Sequence, residues 1–306
     1  MKPSRWLFTT VAIFLLLAGA GIAANVYVDI YGLYRNTRGR HLVDYGDNRI
    51  AKYLLSEHYV PENFDAILIG PSVSSNWDTH GIHTLRTYNE SLNGSNFVEQ
   101  ECLVQQAIAA PGRLKVAIVM VHPSMTADHE FDTVRLTEEL NRTALGSLSL
   151  FEAYKDWFGR YRNPRLTISD DYGTDFFEDP VHLNATAARL MRPASDFPMD
   201  PEAVAAFRRM VAACRRNHVT LLYVAPPMSP SIFAPKRDAF RKYMASVQAE
   251  MRPGERVIDF NSERYADFLC NPNNFSDGVH ISRAGAPRIV ALLDGELRRL
   301  RESWLL

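Results

Sequence analysis

The chain has 306 residues, of which 46% are hydrophobic and 23% charged, with a formal net charge of −1. This is ordinary globular material with length for one sizeable core. The near-neutral balance excludes a nucleic-acid footprint, because Arg208-Arg209, Arg215-Arg216 and Arg298-Arg299 are short pairs that read as solvated helix faces. After Lys2 and Arg5, residues 6–28 carry no charge. As a helix this run is ~34 Å long, enough for a ~30 Å hydrocarbon core. The preceding positive charge predicts a single-pass inner-membrane protein, with a cytoplasmic tip and anchor (1–28) and the rest periplasmic or otherwise extracytoplasmic. Arg35, Arg38 and Arg40 pull the other way. A signal peptide cleaved near Ala23-Ala24 is the alternative, but the apolar run exceeds the ~15 residues of a usual signal core, which favours a retained anchor.

Residues 29–59 are mixed and polar, a neck with a short helix at 48–55. Strand and helix patterns then alternate: strand 66–70, short edge strand 87–92, helix 97–110 stopped by Pro111-Gly112, strand 116–121. Helix 203–218 follows, with Val204, Phe207, Val211 and Cys214 at helical spacing, then strand 219–224 up to Ala225-Pro226-Pro227. Helix 236–251, strand 257–260 and a closing helix at 284–304 complete the chain. The alternation predicts an α/β domain over 29–306: a doubly wound, mostly parallel, three-layer sheet with helices on both faces. Between about 125 and 200 it breaks down into aromatic, acidic and helical fragments. This stretch reads as an insertion over the strand ends, where substrate-selecting loops of open sheets belong, or as a helical subdomain that only covers apolar surface. Cys102, Cys214 and Cys270 have no metal-ligand spacing, and the odd number leaves at least one unpaired within a monomer. The sequence does not choose a disulfide.

Two segments carry chemistry. Gly70-Pro71-Ser72 ends the apolar run Ala66-Ile67-Leu68-Ile69, and Asp277-Gly278-Val279-His280 precedes the last helix. A Ser after a buried strand and a Gly can sit exposed at a strand-to-helix turn, beside helix N-terminal amides. An Asp three residues before a His can fix the ring's tautomer. Ser72, His280 and Asp277 then supply a nucleophile, its base and the base's orienter. Taken singly, Ser72 reads as a turn or N-cap residue and the Asp–His pair as a loop contact; their placement after the first strand and before the last helix joins them. Ser282 is the expected N-cap of that helix.

With these segments first and last and a doubly wound order between, the chain resembles the SGNH (GDSL-type) hydrolases, whose fold is a flavodoxin-like three-layer sheet. More narrowly it is similar to membrane-anchored bacterial members tied to polysaccharide O-acetylation. Asp29-Ile30-Tyr31-Gly32 resembles the Asp-Pro-Tyr-Gly often seen after their anchor. Asn89-Glu90-Ser91-Leu92-Asn93-Gly94 resembles the second family block, and 275–285 is the closest match. The resemblance implies Ser72, His280 and Asp277 as triad, with backbone N–H groups of Ser72 and Gly94 as oxyanion donors. Two departures stand out: Pro71 replaces the family's Asp, and the third block's Gly-x-Asn-Asp is absent, His122-Pro123-Ser124-Met125 standing there instead. His122 and Asn76 are the competing replacements for the missing Asn donor.

The expected function is extracytoplasmic, serine-dependent acyl transfer, most simply of acetyl, to or from a glycan through an acyl-serine, by an O-acetyltransferase or an acetylesterase. It needs no metal or organic cofactor. Transfer would imply a membrane O-acyltransferase partner to bring the donor across. The alternative is a non-catalytic glycan-binding scaffold on a degenerate SGNH fold, with Trp77, Tyr154, Trp157 and Tyr172 stacking on sugars.

Overall fold

Five short strands form one parallel sheet in the order β2-β1-β3-β4-β5 in the computed structural model. It describes residues 3–109, 114–127, 136–163, 169–175 and 193–302. The strands are β1 (Ala66–Ile69), β2 (Thr87–Asn89), β3 (Val116–Met120), β4 (Thr220–Ala225) and β5 (Arg256–Asp259). β1 and β3 are apolar and buried throughout, as strands covered on both faces must be. β2 is the edge strand the sequence predicts.

Alternation along the strands divides the core. Ile67, Ile69, Ala117, Val119, Leu221 and Tyr223 face one layer. It is built by α5 (Phe97–Ala109), α7 (Pro201–Arg216) and α9 (Arg237–Gln248). Leu68, Ile118, Met120, Leu222 and Val224 face the other, formed by α10 (Ala266–Leu269) and α11 (Ala286–Glu302). The result is the doubly wound three-layer arrangement, with the strand order of flavodoxin-like sheets. Element ends fall within a few residues of the expected ones. α7 begins at Pro201, capped by the Asp200 carboxylate on Ala203 N–H (2.9 Å), and stops before His218, which turns left-handed at φ 58°.

Helix α1 (Pro3–Val28) precedes a neck carrying α2 (Asn48–Leu55) and α3 (Tyr59–Asn63). Between Arg5 and Val28 α1 is long and apolar enough to cross a membrane. The neck has its own apolar cluster, which joins Ile30, Tyr31 and Leu54 to Leu92 and to Leu150 and Ala153 of α6 (Leu148–Arg162). Of the expected insertion, α6 packs on this neck, while 169–175 packs on the turn after β1. Residues 128–135, 164–168 and 176–192 of the insertion, the expected helix end at 110 with its Pro111-Gly112 stop, and 303–304 of the expected closing helix lie outside the described residues.

Candidate active site

Because the strands are parallel, their C-terminal ends share one rim, and the chain winds from β1 to β2 on one side, then crosses back to β3 on the other. That switch point is where ligands bind in open α/β sheets. β1 delivers Gly70, where a Cβ would stand 2.7 Å from Met120 Cγ and 2.9 Å from Met120 Cβ. Only glycine lets β1 end so close to β3. The Gly70 carbonyl accepts from Leu92 N–H and from Gln100 Nε2, each at 3.0 Å, which fixes the turn. Pro71, at φ −85°, is the N-cap of α4 (Ser72–Ser75), and Ser72 is its first residue. Proline tolerates this backbone, and the first amides of the turn lack intrahelical acceptors.

The second half of the site is a tight loop closed by the antiparallel bridge Phe275↔Ile281. Gly278 lies at φ 85°, and a Cβ there would meet Ile232 Cγ1 and Ser229 Oγ at 2.7 Å. Its carbonyl accepts from Ser229 N–H at 2.7 Å. Asp277 Oδ1 accepts from the N–H groups of Val279 (3.0 Å) and His280 (2.7 Å), leaving Oδ2 2.7 Å from His280 Nδ1. His280 Nε2 is 2.8 Å from Ser72 Oγ. Burial pushes the Asp277 carboxyl up, but His280 and the two backbone N–H groups outweigh it and hold it below the usual range. An ionised Asp277 places the ring proton on Nδ1 and turns the Nε2 lone pair toward the Ser72 hydroxyl. Ser282 Oγ accepts from Gly285 N–H at 3.0 Å, the N-terminal cap the sequence predicts for α11.

Besides Ser72 N–H, the three other oxyanion candidates are placed differently. His122 follows β3 on the rim. Its Nδ1 accepts from Ser124 N–H at 3.3 Å and lies 2.7 Å from Ser124 Oγ, so the network assigns the ring proton to Nε2. Burial, then the charges of His280 and Lys236, lower its pKa to about 3, so it is a neutral donor. Asn76 does not fit a donor role as well: its Nδ2 donates to Ile281 O at 2.7 Å, tying α4 to the Asp–His loop. Asn76 is therefore a brace between the two catalytic segments. Gly94 is exposed in a turn at φ 68°, and its N–H makes no hydrogen bond among the described residues. Asn93 hangs that turn from α4, its Oδ1 accepting from Ser75 Oγ at 3.0 Å.

Sequence reasoning missed the support behind the turn. Asn89 Nδ2 donates to the carbonyls of Ser74, Ser75 and Trp77 at 2.9–3.1 Å, clamping the end of α4. Lys52, fully buried, donates to the carbonyls of Asn89, Ser91 and Gly173, each at 2.8 Å. Around it, burial raises Asp44 and pushes Glu90 and Asp175 to about 7, with the Lys52 charge opposing. The available signal was a lone Lys in the otherwise apolar stretch Ile50-Ala51-Lys52-Tyr53-Leu54. Trp77, named as a sugar platform, is instead core, edge-on to Phe260 at 6.1 Å. Tyr172 packs on Phe64 and His80. None of the three cysteines is in a disulfide. Asp78, His80 and Asp170 cluster with metal-like spacing, but His80 Nδ1 pairs with both carboxylates (3.0 and 3.2 Å) and joins the turn at residues 79–81 to 169–175.

No protein-family model and no curated protein matches the chain. Several solved structures align with much of its length. A GDSL-like lipase from Bacteroides thetaiotaomicron aligns with TM-score 0.41 and 10% identity, over 82% of this chain and 98% of its own. A protein provisionally described as a platelet activating factor, from Streptococcus pneumoniae, aligns with TM-score 0.47 and 9% identity, over 82% and 91%. A provisionally described acylhydrolase from Bacteroides fragilis gives 0.39 and 12%, over 76% and 86%. Such distant likenesses say nothing of chemistry here, which rests on the side chains described above.

Proposed function

We propose that this chain is a membrane-anchored, SGNH-like serine enzyme that moves an acyl group, most simply acetyl, to or from a glycan outside the cytoplasm. The observation that carries the reading is the continuous relay from Asp277 Oδ2 to His280 and from His280 Nε2 to Ser72 Oγ. Ser72 Oγ attacks the ester carbonyl as Nε2 takes its proton. The tetrahedral oxyanion then collapses, and the protonated ring returns that proton to the leaving alkoxide. An acceptor hydroxyl, or water, deprotonated by the same nitrogen, attacks the acyl-serine and frees the enzyme. His122 Nε2–H, Ser72 N–H and Gly94 N–H are the assigned oxyanion donors; such donors act where charge develops only in the transition state. The chemistry calls for no metal or organic cofactor.

The apolar helix α1 supports anchoring, and the resemblance supports a glycan acceptor and a membrane O-acyltransferase as donor-side partner. The test supplies the full-length protein with a small activated acetyl ester, with and without an oligosaccharide acceptor. Acetate release or acetylated sugar from wild type, and neither from Ser72→Ala, supports the reading. Equal rates for the two proteins would replace it by the non-catalytic glycan-binding reading.

A further inference from the structure

Outside α1, the exposed large hydrophobic side chains among the described residues are concentrated on one element. Helix α6 exposes Leu148 (75%), Phe151 (65%), Phe158 (58%) and Tyr161 (81%), with Trp157 at 38%; only Tyr34 and Met199 are exposed elsewhere. A soluble surface scatters such residues singly, and a contiguous set marks a surface that meets something apolar. Leu148, Phe151, Lys155, Phe158 and Arg162 recur at three- and four-residue spacing and so share one outward face. The opposite face carries Leu150 and Ala153, which are buried in the neck. Asp156 lies off the outward stripe, its carboxylate accepting from Gly46 N–H at 3.0 Å. Glu152, also exposed, borders the stripe on the Asp156 side. The stripe itself is apolar and cationic, with aliphatic stems that can lie along hydrocarbon while their charges reach phosphate.

What that face meets follows from where α6 sits. Asn25 lies three residues before the end of α1, ~4.5 Å of helical rise. Its Nδ2 donates to Leu145 O at 2.7 Å, and Tyr154 OH of α6 donates to its Oδ1 at 3.1 Å. The same end is locked onto the neck. Arg35 Nη1 donates to Tyr27 O at 2.5 Å, and its guanidinium lies 5.6 Å from the Tyr27 ring centre. The buried Asp29 carboxylate accepts from the N–H groups of Leu33 and Arg35 and pairs with Arg40 at 3.2 Å. Tyr27 at the end of α1 and Trp157 and Tyr161 on α6 are exposed aromatic residues of the kind that belt a membrane interface.

We propose that α6 is an in-plane membrane helix: its Leu148–Phe151–Phe158 face sinks into the headgroup layer of the bilayer that α1 crosses, with Lys155 and Arg162 on anionic headgroups. The inference rests on reading α1 as a retained anchor. Two attachments, one spanning and one lying flat, fix the tilt as well as the height of the domain. Leu92, beside the Asn93–Gly94 turn, belongs to the same apolar cluster as Ile30, Tyr31 and Leu150. The site is thereby tied to the membrane-bound face, and its substrate is one presented close to the bilayer.

The test places the full-length chain in nanodiscs of phosphatidylcholine and phosphatidylglycerol. Single nitroxide labels are introduced by Leu15→Cys, Phe158→Cys and Asp238→Cys in a Cys102→Ser, Cys214→Ala, Cys270→Ser background. Collision with oxygen and with a water-soluble nickel chelate reads depth. The label at 15 should be deep, that at 158 at the headgroup–acyl boundary, and that at 238 aqueous. A deep 15 with an aqueous 158 overturns the in-plane helix and leaves the anchor intact; an aqueous 15 overturns the anchor and this inference with it. With the native cysteines kept, lipids brominated near the headgroup should quench wild-type fluorescence more than that of Trp157→Phe. Equal quenching contradicts the proposal.

Discussion

Side chains that lie within one site have unequal tasks. Ser72→Ala removes the covalent path and should abolish acetyl-ester turnover. Asp277→Asn keeps the loop but offers Nδ1 the wrong partner, and a loss of about 10⁴-fold is expected, the size found for the equivalent change in a well-studied triad. His122→Ala should lower kcat by ~10²–10³ with little change in KM, as removal of an oxyanion donor does. Asn76→Ala, which cuts the brace to Ile281 O, should instead lower unfolding free energy by about 1 kcal/mol. Steady-state kinetics and urea unfolding of the pair separate a donor from a brace. With its pKa at about 3, His122 should add no inflection to the rate profile near neutral pH. These roles were legible unevenly. Ser72, Asp277 and His280 could be named because each sits beside a strong sequence marker, a buried strand or a helix cap. Choosing between His122 and Asn76 needed partners 2 and 205 residues away, and only the second is invisible to local reasoning.

Among the elements, the catalytic turn depends on a buried polar support. Lys52→Met would leave the carbonyls of Asn89, Ser91 and Gly173 without their shared donor and the neighbouring carboxylates without their cation. A loss of about 3–5 kcal/mol is expected, read by urea unfolding. The carboxylates give this support a pH signature. Glu90, at about 7 when folded against an ordinary 4.5, holds its proton more tightly in the folded state. Folding stability should therefore fall as pH rises from about 4.5 to 7, by up to a few kcal/mol, and the penalty persists above that. Asp175 acts in the same direction, while Asp277, held below its ordinary value, loses stability only as pH falls below that value. Glu90→Gln should flatten the slope between pH 5 and 7 in thermal unfolding. Strands and helices were readable because a doubly wound sheet writes its burial into contiguous apolar runs and 3.6-residue stripes. Lys52 was not, because a basic residue in an amphipathic helix ordinarily reads as surface, and its three acceptors come from two distant loops.

For the whole molecule, the sheet, the rim and the long apolar helix α1 were legible from alternation and from one uncharged run, whereas the packing of the insertion was left open. The alternatives were loops over the strand ends or a helical cover on apolar surface; of the described parts, α6 packs on the neck beside α1, and 169–175 packs on the turn after β1. Of the insertion's aromatic residues, Phe151, Trp157, Phe158 and Tyr161 are exposed, whereas Tyr154 bonds to Asn25 and Tyr172 packs on Phe64. Arg35 and Arg40, which argued against an external domain by charge alone, have local duties: one caps the Tyr27 carbonyl, the other pairs with Asp29. The catalytic domain should consequently lie on the side opposite Lys2 and Arg5, and a phosphatase reporter fused after Leu306 should be active only outside the cytoplasm. The central claim remains the nucleophile at Ser72, aimed by a histidine from the far end of the chain. The most direct measurement is covalent: a serine-reactive phosphonate incubated with the intact protein, followed by peptide mass spectrometry. The account predicts one adduct, on Ser72, lost in Ser72→Ala and formed far more slowly in His280→Ala. An unlabelled wild-type protein, or an adduct on any other serine, would contradict it.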